Sequence, residues 1–79
     1  MAILIRNFGN EKEIEVESLL SMQEEVGGKI KFIPISYDKI LVVNEEQKPN
    51  KMNYNTKASY LCKRSIYGNV IVCERFELY

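Results

Sequence analysis

The residues that could bind a charged ligand are concentrated in a basic segment in the second half of the chain. Residues 47–73 contain no Asp or Glu, and tyrosines lie between their lysines and arginine. Asn55 can cap a helix whose first turn presents free N–H groups, and tyrosine rings can stack on bases. The segment therefore predicts a site for a phosphorylated nucleotide, contacted by Tyr54, Asn55, Thr56, Lys57, Tyr60 and Arg64. The alternative interpretation is a solvated helix whose tyrosines lie partly in the core.

Residue types typical of catalytic and metal sites are isolated in this sequence. Glu45 and Glu46 could do acid–base work or hold a divalent cation, but the chain has no histidine. Asn44, Glu45 and Glu46 also form a good polar turn, and we prefer that structural role. Cys62 and Cys73 lack the Cys-x-x-Cys spacing of zinc and redox sites, so we expect free, buried thiols. We predict no enzyme, no metal and no cofactor.

Two other segments are candidates for contact with a protein partner. Glu13, Glu15 and Glu17 alternate with apolar residues, which predicts an exposed strand with an acidic face. That face is either simply the solvated side of the strand or a contact surface. The chain ends with the apolar residues Phe76 and Tyr79, which suit self-association or docking of a strand.

Length and composition limit the class of protein. With 79 residues, the chain predicts one domain, 1–79, and so small a core that oligomerisation would be a natural source of stability. The net charge is zero, which argues against duplex DNA as a partner. No apolar run has the length of a membrane span. A leader peptide is also not evident, so we expect a cytoplasmic protein.

Hydrophobic periodicity predicts the order strand, strand, helix, strand, strand, helix, strand. The central hairpin comes from residues 30–35 and Ile40–Val43, with the second of these strands in the middle of the sheet. The helices are predicted at Leu19–Val26 and Thr56–Lys63, and Glu74–Tyr79 extends the last strand or docks on a partner. This order predicts an α+β fold with a small, mainly antiparallel sheet of four to five strands and two short helices on one face. A ferredoxin-like core with an added edge strand is one topology that fits.

Several short motifs occur in an order and spacing typical of one family. They are Val26-Gly27-Gly28, the run from Leu41 to Glu46, Asn55-x-x-Ala58, and the run from Tyr67 to Val72. Over residues 17–73 the sequence resembles the domain-of-unknown-function family 3846, small proteins found largely in bacteriophages and mobile elements. Members usually carry a Leu-Pro pair before the helix-opening asparagine, whereas here the proline lies earlier, at Pro49. The resemblance implies a phage-type intracellular protein and supplies no reaction.

These observations lead to two expectations about function. The first is a non-enzymatic accessory protein of phage or mobile-element type, which inhibits a host immunity protein by direct contact in the host cytoplasm. The second is an oligomeric sponge that sequesters a phosphorylated nucleotide through the basic, tyrosine-bearing second helix. An enzyme that uses Glu45 or Glu46 is the least favoured alternative.

Overall fold

The computed structural model describes residues 2–7, 9–16, 18–46 and 53–78, which form an antiparallel sheet with a helix on each face. In spatial order, the five strands of the described residues are β2-β1-β5-β4-β3. Every neighbouring pair is antiparallel. The elements are β1 (Ala2–Ile5), β2 (Glu11–Ile14), α1 (Leu19–Val26), β3 (Ile30–Pro34), β4 (Lys39–Asn44), α2 (Thr56–Cys62), β5 (Val70–Glu74) and a 3-10 helix (Arg75–Leu78). The predicted α+β class is confirmed.

Helix α1 has the predicted bounds because both of its ends are determined locally. Ser18 Oγ accepts a hydrogen bond from the backbone N–H of Ser21 at 3.1 Å, and Ser21 Oγ accepts one from the N–H of Ser18 at 3.3 Å. The helix ends at Gly27, whose φ of 85° lies in the left-handed region that glycine adopts without steric cost. Met22 and Val26 bury the inner side of α1 against one face of the sheet.

Helix α2 lies on the opposite face, so the prediction of two helices on one face is wrong. Ala58 of α2 packs against Leu41, Val43 and Val70, whereas the α1 cluster contains Val42. Successive residues of a strand point to opposite faces. A continuous apolar strand such as β4 therefore has side chains to bury on both faces, and one helix covers each.

The middle strand of the sheet is β5. The prediction that Ile40–Val43, which lies in β4, is in the middle is therefore wrong. β5 pairs with β1 on one side and with β4 on the other. Both β4 and β5 are apolar on both faces, so their local sequences do not distinguish them. The order also differs from the ferredoxin-like topology, in which helices connect parallel strands. Here α2 connects β4 and β5, which are antiparallel neighbours.

The remaining differences from the predicted elements lie at strand ends. β2 begins at Glu11, two residues earlier than predicted, because Arg6 already donates its backbone N–H to the carbonyl of Asn10 at 2.8 Å and closes the turn. After β5 the chain bends into a 3-10 helix and does not continue as a strand. Arg75 marks the bend: its backbone N–H donates to the carbonyl of Asp38 at 2.7 Å.

Candidate partner-binding site

Asn55 positions α2 on the sheet and is a structural residue. Its side chain is 1% exposed, and its Oδ1 accepts the backbone N–H of Ala58 at 3.0 Å, which caps the helix. Its Nδ2 donates to the carbonyls of Ile5 at 3.1 Å and Gly68 at 2.9 Å. Asn55 therefore ties the helix to β1 and to the segment before β5. Both of its N–H donors are used and it is inaccessible, so the prediction that it contacts a ligand is wrong.

The chain that follows α2 folds back onto the start of the helix. Ser59 Oγ accepts the backbone N–H of Ile66 at 2.8 Å and donates to its carbonyl at 3.3 Å. Tyr54 and Tyr67 form an isolated antiparallel bridge, and their rings meet edge to face with centroids 5.6 Å apart. These contacts fix the orientation of α2 and hence which of its side chains face the sheet.

A groove of about 470 Å³ lies between α2 and the outer part of the sheet. Because α2 has seven residues, it is only about 10 Å long and leaves part of β1 uncovered. Ile3 is 39% exposed and Leu61 is 41% exposed. We call this feature the β1–α2 groove; its lining residues are Ile3, Ile5, Glu11, Thr56, Lys57, Tyr60, Leu61 and Val72.

The rim of the β1–α2 groove on the β2 side is acidic. Glu11 and Glu13 pair with Ile5 and Ile3 in the β1–β2 register, so both glutamates lie on the α2 face of the sheet. Lys57 Nζ lies 2.5 Å from Glu11 Oε2 and closes one end of the groove. Lys57 was predicted to bind phosphate, but its charge is already paired with a carboxylate. Glu11 and Lys57 thus line the same groove as the apolar side chains and carry its charges.

The other predicted ligand-binding residues line a second, shallower depression of about 440 Å³. Tyr54, Thr56, Tyr60 and Arg64 are exposed there. Lys63, which was not predicted to contact a ligand, also lines this depression; it ends α2 in the left-handed conformation, with φ 57°. No carboxylate lines this depression among the described residues. Tyr60 lines both depressions and is 83% exposed.

The predicted partner-binding residues do not all meet at one place. Glu13 and Glu15 are exposed along β2 and just after it. Phe76 lines a different depression, with Tyr37, Asp38 and Arg75. Tyr37 is 95% exposed there. Glu17 and Tyr79 lie outside the described residues.

The polar turn after β4 has the structural role predicted for Asn44. This side chain is buried and its Nδ2 donates to the carbonyl of Val26 at 3.1 Å, while its Oδ1 accepts the backbone N–H of Glu46 at 2.8 Å. The side chains of Glu45 and Glu46 are exposed. In the part of the chain that the structure describes, no three His, Cys, Asp or Glu residues are placed to hold a metal ion.

The two cysteines differ in burial, and only Cys73 is fully enclosed. Cys73 is buried in the core on the α1 face, whereas Cys62, the last residue of α2, is half-buried on the other face. No helix among the described residues is long and apolar enough to cross a membrane.

Residues 1–77 match the model of the family described as Domain of unknown function (DUF3846). The match covers more of the chain than the motifs at residues 17–73. No curated protein and no solved structure matches the sequence significantly.

Proposed function

The chain belongs to the DUF3846 family, whose function is unknown, and we propose from its own geometry that it acts by binding a protein through the β1–α2 groove. We further propose that it is an accessory protein of phage or mobile-element type that inhibits a host immunity protein by this contact. The origin and the host target are inferred from the family resemblance. The binding surface is inferred from the groove.

The observation that supports binding is a group of exposed apolar side chains beside fixed charges. Ile3, Tyr60 and Leu61 form one continuous patch. Protein interfaces use apolar and aromatic side chains at their centre and charged residues at their rim. Glu11 and Lys57 supply such a rim, and Glu13 follows along β2, opposite Ile3. The arrangement favours a partner that inserts an apolar side chain and carries basic residues next to it.

A pull-down from host lysate with paired variants tests this proposal. Leu61→Glu places a charge in the groove, and Tyr60→Ala removes an aromatic side chain that contributes little to the core. The matched control is Leu20→Glu, because Leu20 is 63% exposed on α1, on the opposite face of the sheet. We expect a captured protein to be retained by the wild type and the control and lost with both groove variants. Capture that is equal for all four proteins would refute the groove as the contact.

A second candidate function is sequestration of a phosphorylated nucleotide, in an oligomer of this chain, at the depression lined by Tyr54, Tyr60, Lys63 and Arg64. The observation that favours it is the pair of exposed basic residues beside two tyrosines. A ligand at a hundred times its dissociation constant would stabilise the protein by about 2.7 kcal/mol, which raises the melting temperature by about ten degrees or more.

Thermal melting against a panel of nucleotides, including cyclic mono- and oligonucleotides, tests this second function. We expect a selective shift that Arg64→Ala abolishes and that Lys29→Ala keeps, since Lys29 is exposed just before β3. A flat panel with the wild type would exclude the nucleotides tested and leave protein binding as the proposed function.

A further inference from the structure

The two edges of the sheet differ in how well they are protected against pairing with another chain. The edge strands are β2 and β3. An edge strand presents a row of backbone N–H and C=O groups that can pair with a further strand, and proteins block such edges with proline and lysine. β3 has both devices: Pro34 supplies no N–H, and Lys31 is exposed within the strand.

β2 has one exposed lysine, Lys12, as β3 does, but it has no proline, so the proline is what distinguishes the two edges. Glu11, Lys12 and Glu13 are exposed and Ile14 is half-buried. In the described residues, β2 pairs with β1 and with no other strand. From this difference we infer that the partner supplies an extended basic segment that pairs with β2 as a sixth strand. This inference rests on the proposed function.

The side chains of β2 specify what that segment must look like. Glu11 and Glu13 are two residues apart and therefore about 7 Å apart along the α2 face. Ile14 lies on the other face, where it packs against the α1 cluster. A partner strand with basic residues at alternate positions would set one beside Glu13 and another beside Glu11. Because the Glu11 carboxylate already lies 2.5 Å from Lys57 Nζ, the charge attraction comes mainly from Glu13. Its intervening residues would lie on the other face, beside Ile14 and the exposed Lys12, where an apolar residue suits Ile14 and a further basic residue would be repelled by Lys12.

A second copy of this chain fits the same edge poorly. If two β2 strands paired with each other, the acidic faces of both copies would lie together, and like charges opposite each other in a sheet are destabilising. The acidic residues thus disfavour self-pairing at this edge while attracting a basic strand. Long basic side chains would also lay their methylene stems towards the apolar floor of the β1–α2 groove, where Ile3 is exposed.

The probe for this inference is a fluorescein-labelled peptide, acetyl-(Lys-Val)₃-amide, with binding measured by fluorescence anisotropy. Two further peptides carry N-methyl groups, on all lysine amides in one and on all valine amides in the other. In a strand, the N–H groups of alternate residues point to opposite sides. In a peptide paired with β2, either the lysine or the valine N–H groups would therefore face β2, but not both. We expect one methylated peptide to bind at least tenfold more weakly and the other to bind almost as well as the parent.

The charge requirement is tested with variants of the two edges. Glu13→Lys should weaken binding at least tenfold, whereas Lys31→Glu on the opposite edge should leave it within a factor of two. Glu13 is exposed, so Glu13→Lys should fold, as circular dichroism would verify. Acetyl-(Glu-Val)₃-amide should not bind.

Equal binding of the two methylated peptides would overturn the inference, because charge attraction alone does not depend on which amides are free. Absence of binding by the parent peptide would overturn it as well. The proposed function has a separate readout in the captured host protein. If Leu61→Glu abolishes that capture and Glu13→Lys does not, groove binding stands and strand addition to β2 is wrong.

Discussion

Replacing Asn55 by aspartate separates two roles that this residue combines. The substitution keeps an oxygen that can accept the backbone N–H of Ala58, so the helix cap survives. It removes the two N–H donors that satisfy the carbonyls of Ile5 and Gly68. It also places a negative charge against those carbonyl oxygens at a position that is 1% exposed. Asn55→Asp should therefore destabilise the protein strongly although its capping oxygen is retained.

The size of the effect follows from the two carbonyl groups. A buried polar group that loses its partner costs about 1–3 kcal/mol, and the uncompensated charge adds to this, so we expect a loss of about 3–5 kcal/mol at pH 7. Domains have about 0.05–0.15 kcal/mol of stability per residue, so this chain of 79 residues has about 4–12 kcal/mol. With a denaturant slope of about 1–2 kcal/mol/M, the urea midpoint should fall by about 1.5 M or more.

Ser18→Asp is the matched control, because Ser18 caps α1 on the surface, where its side chain bonds only within the capping box. Aspartate is as good a cap as serine, so the urea midpoint should stay within about 0.5 M of the wild type. Circular dichroism at 222 nm during urea titration measures both variants. If Asn55→Asp costs less than about 1 kcal/mol, or no more than Ser18→Asp, the tie of α2 to β1 through the Asn55 amide is refuted.

The pH dependence of the same variant gives an independent check. Burial disfavours the charged form, so the pKa of the introduced carboxyl should be raised above its value in the unfolded chain. The folded variant then binds the proton more tightly than the unfolded one, so the variant regains stability as the pH falls and loses it as the pH rises through the folded pKa. The difference between Asn55→Asp and the wild type should therefore be smaller at pH 4.5 than at pH 7.

Three further outcomes are expected. Gly27→Ala should cost about 1–2 kcal/mol in urea unfolding, because Gly27 has a φ of 85°; an unchanged midpoint would contradict the left-handed cap. Lys57→Ala should cost less than about 1 kcal/mol, since the side chains of Lys57 and Glu11 are 49% and 46% exposed. A larger loss that persists in 1 M salt would contradict this. A thiol reagent followed by mass spectrometry should label half-buried Cys62 under native conditions and Cys73 only on unfolding; equal rates would contradict the burial of Cys73.

Local signals in the sequence were sufficient for the helices and for the existence of most strands. Ser18 and Gly27 bracket α1, and Asn55 starts α2, because capping depends on groups within a few residues of one another. Lys63 was placed within α2 although it is the cap after it. The apolar run Ile40–Val43 predicted a strand, and β4 is that strand, buried on both faces although it is not the middle one.

Long-range pairing was not available from those signals. The strands β4 and β5 have the same apolar character, so composition does not show which lies in the middle of the sheet. The pairing of Ile3 with Val72 joins the first strand to the last, and no pattern within a few residues encodes it. Helix α2 packs on the face of the sheet that carries Leu41 and Val43. Val42 on the other face is equally apolar, so the sequence of β4 does not show which face α2 covers.

The same distinction applies to the candidate site. The sequence alone identified the acidic strand and the basic helix, because charge is a property of composition. The β1–α2 groove, the pairing of Lys57 with Glu11, and the burial of Asn55 depend on where a seven-residue helix sits on the sheet. Tertiary packing brings these residues together from β1, β2 and α2. It therefore determines which charges are paired, which apolar side chains are exposed, and where a partner can bind.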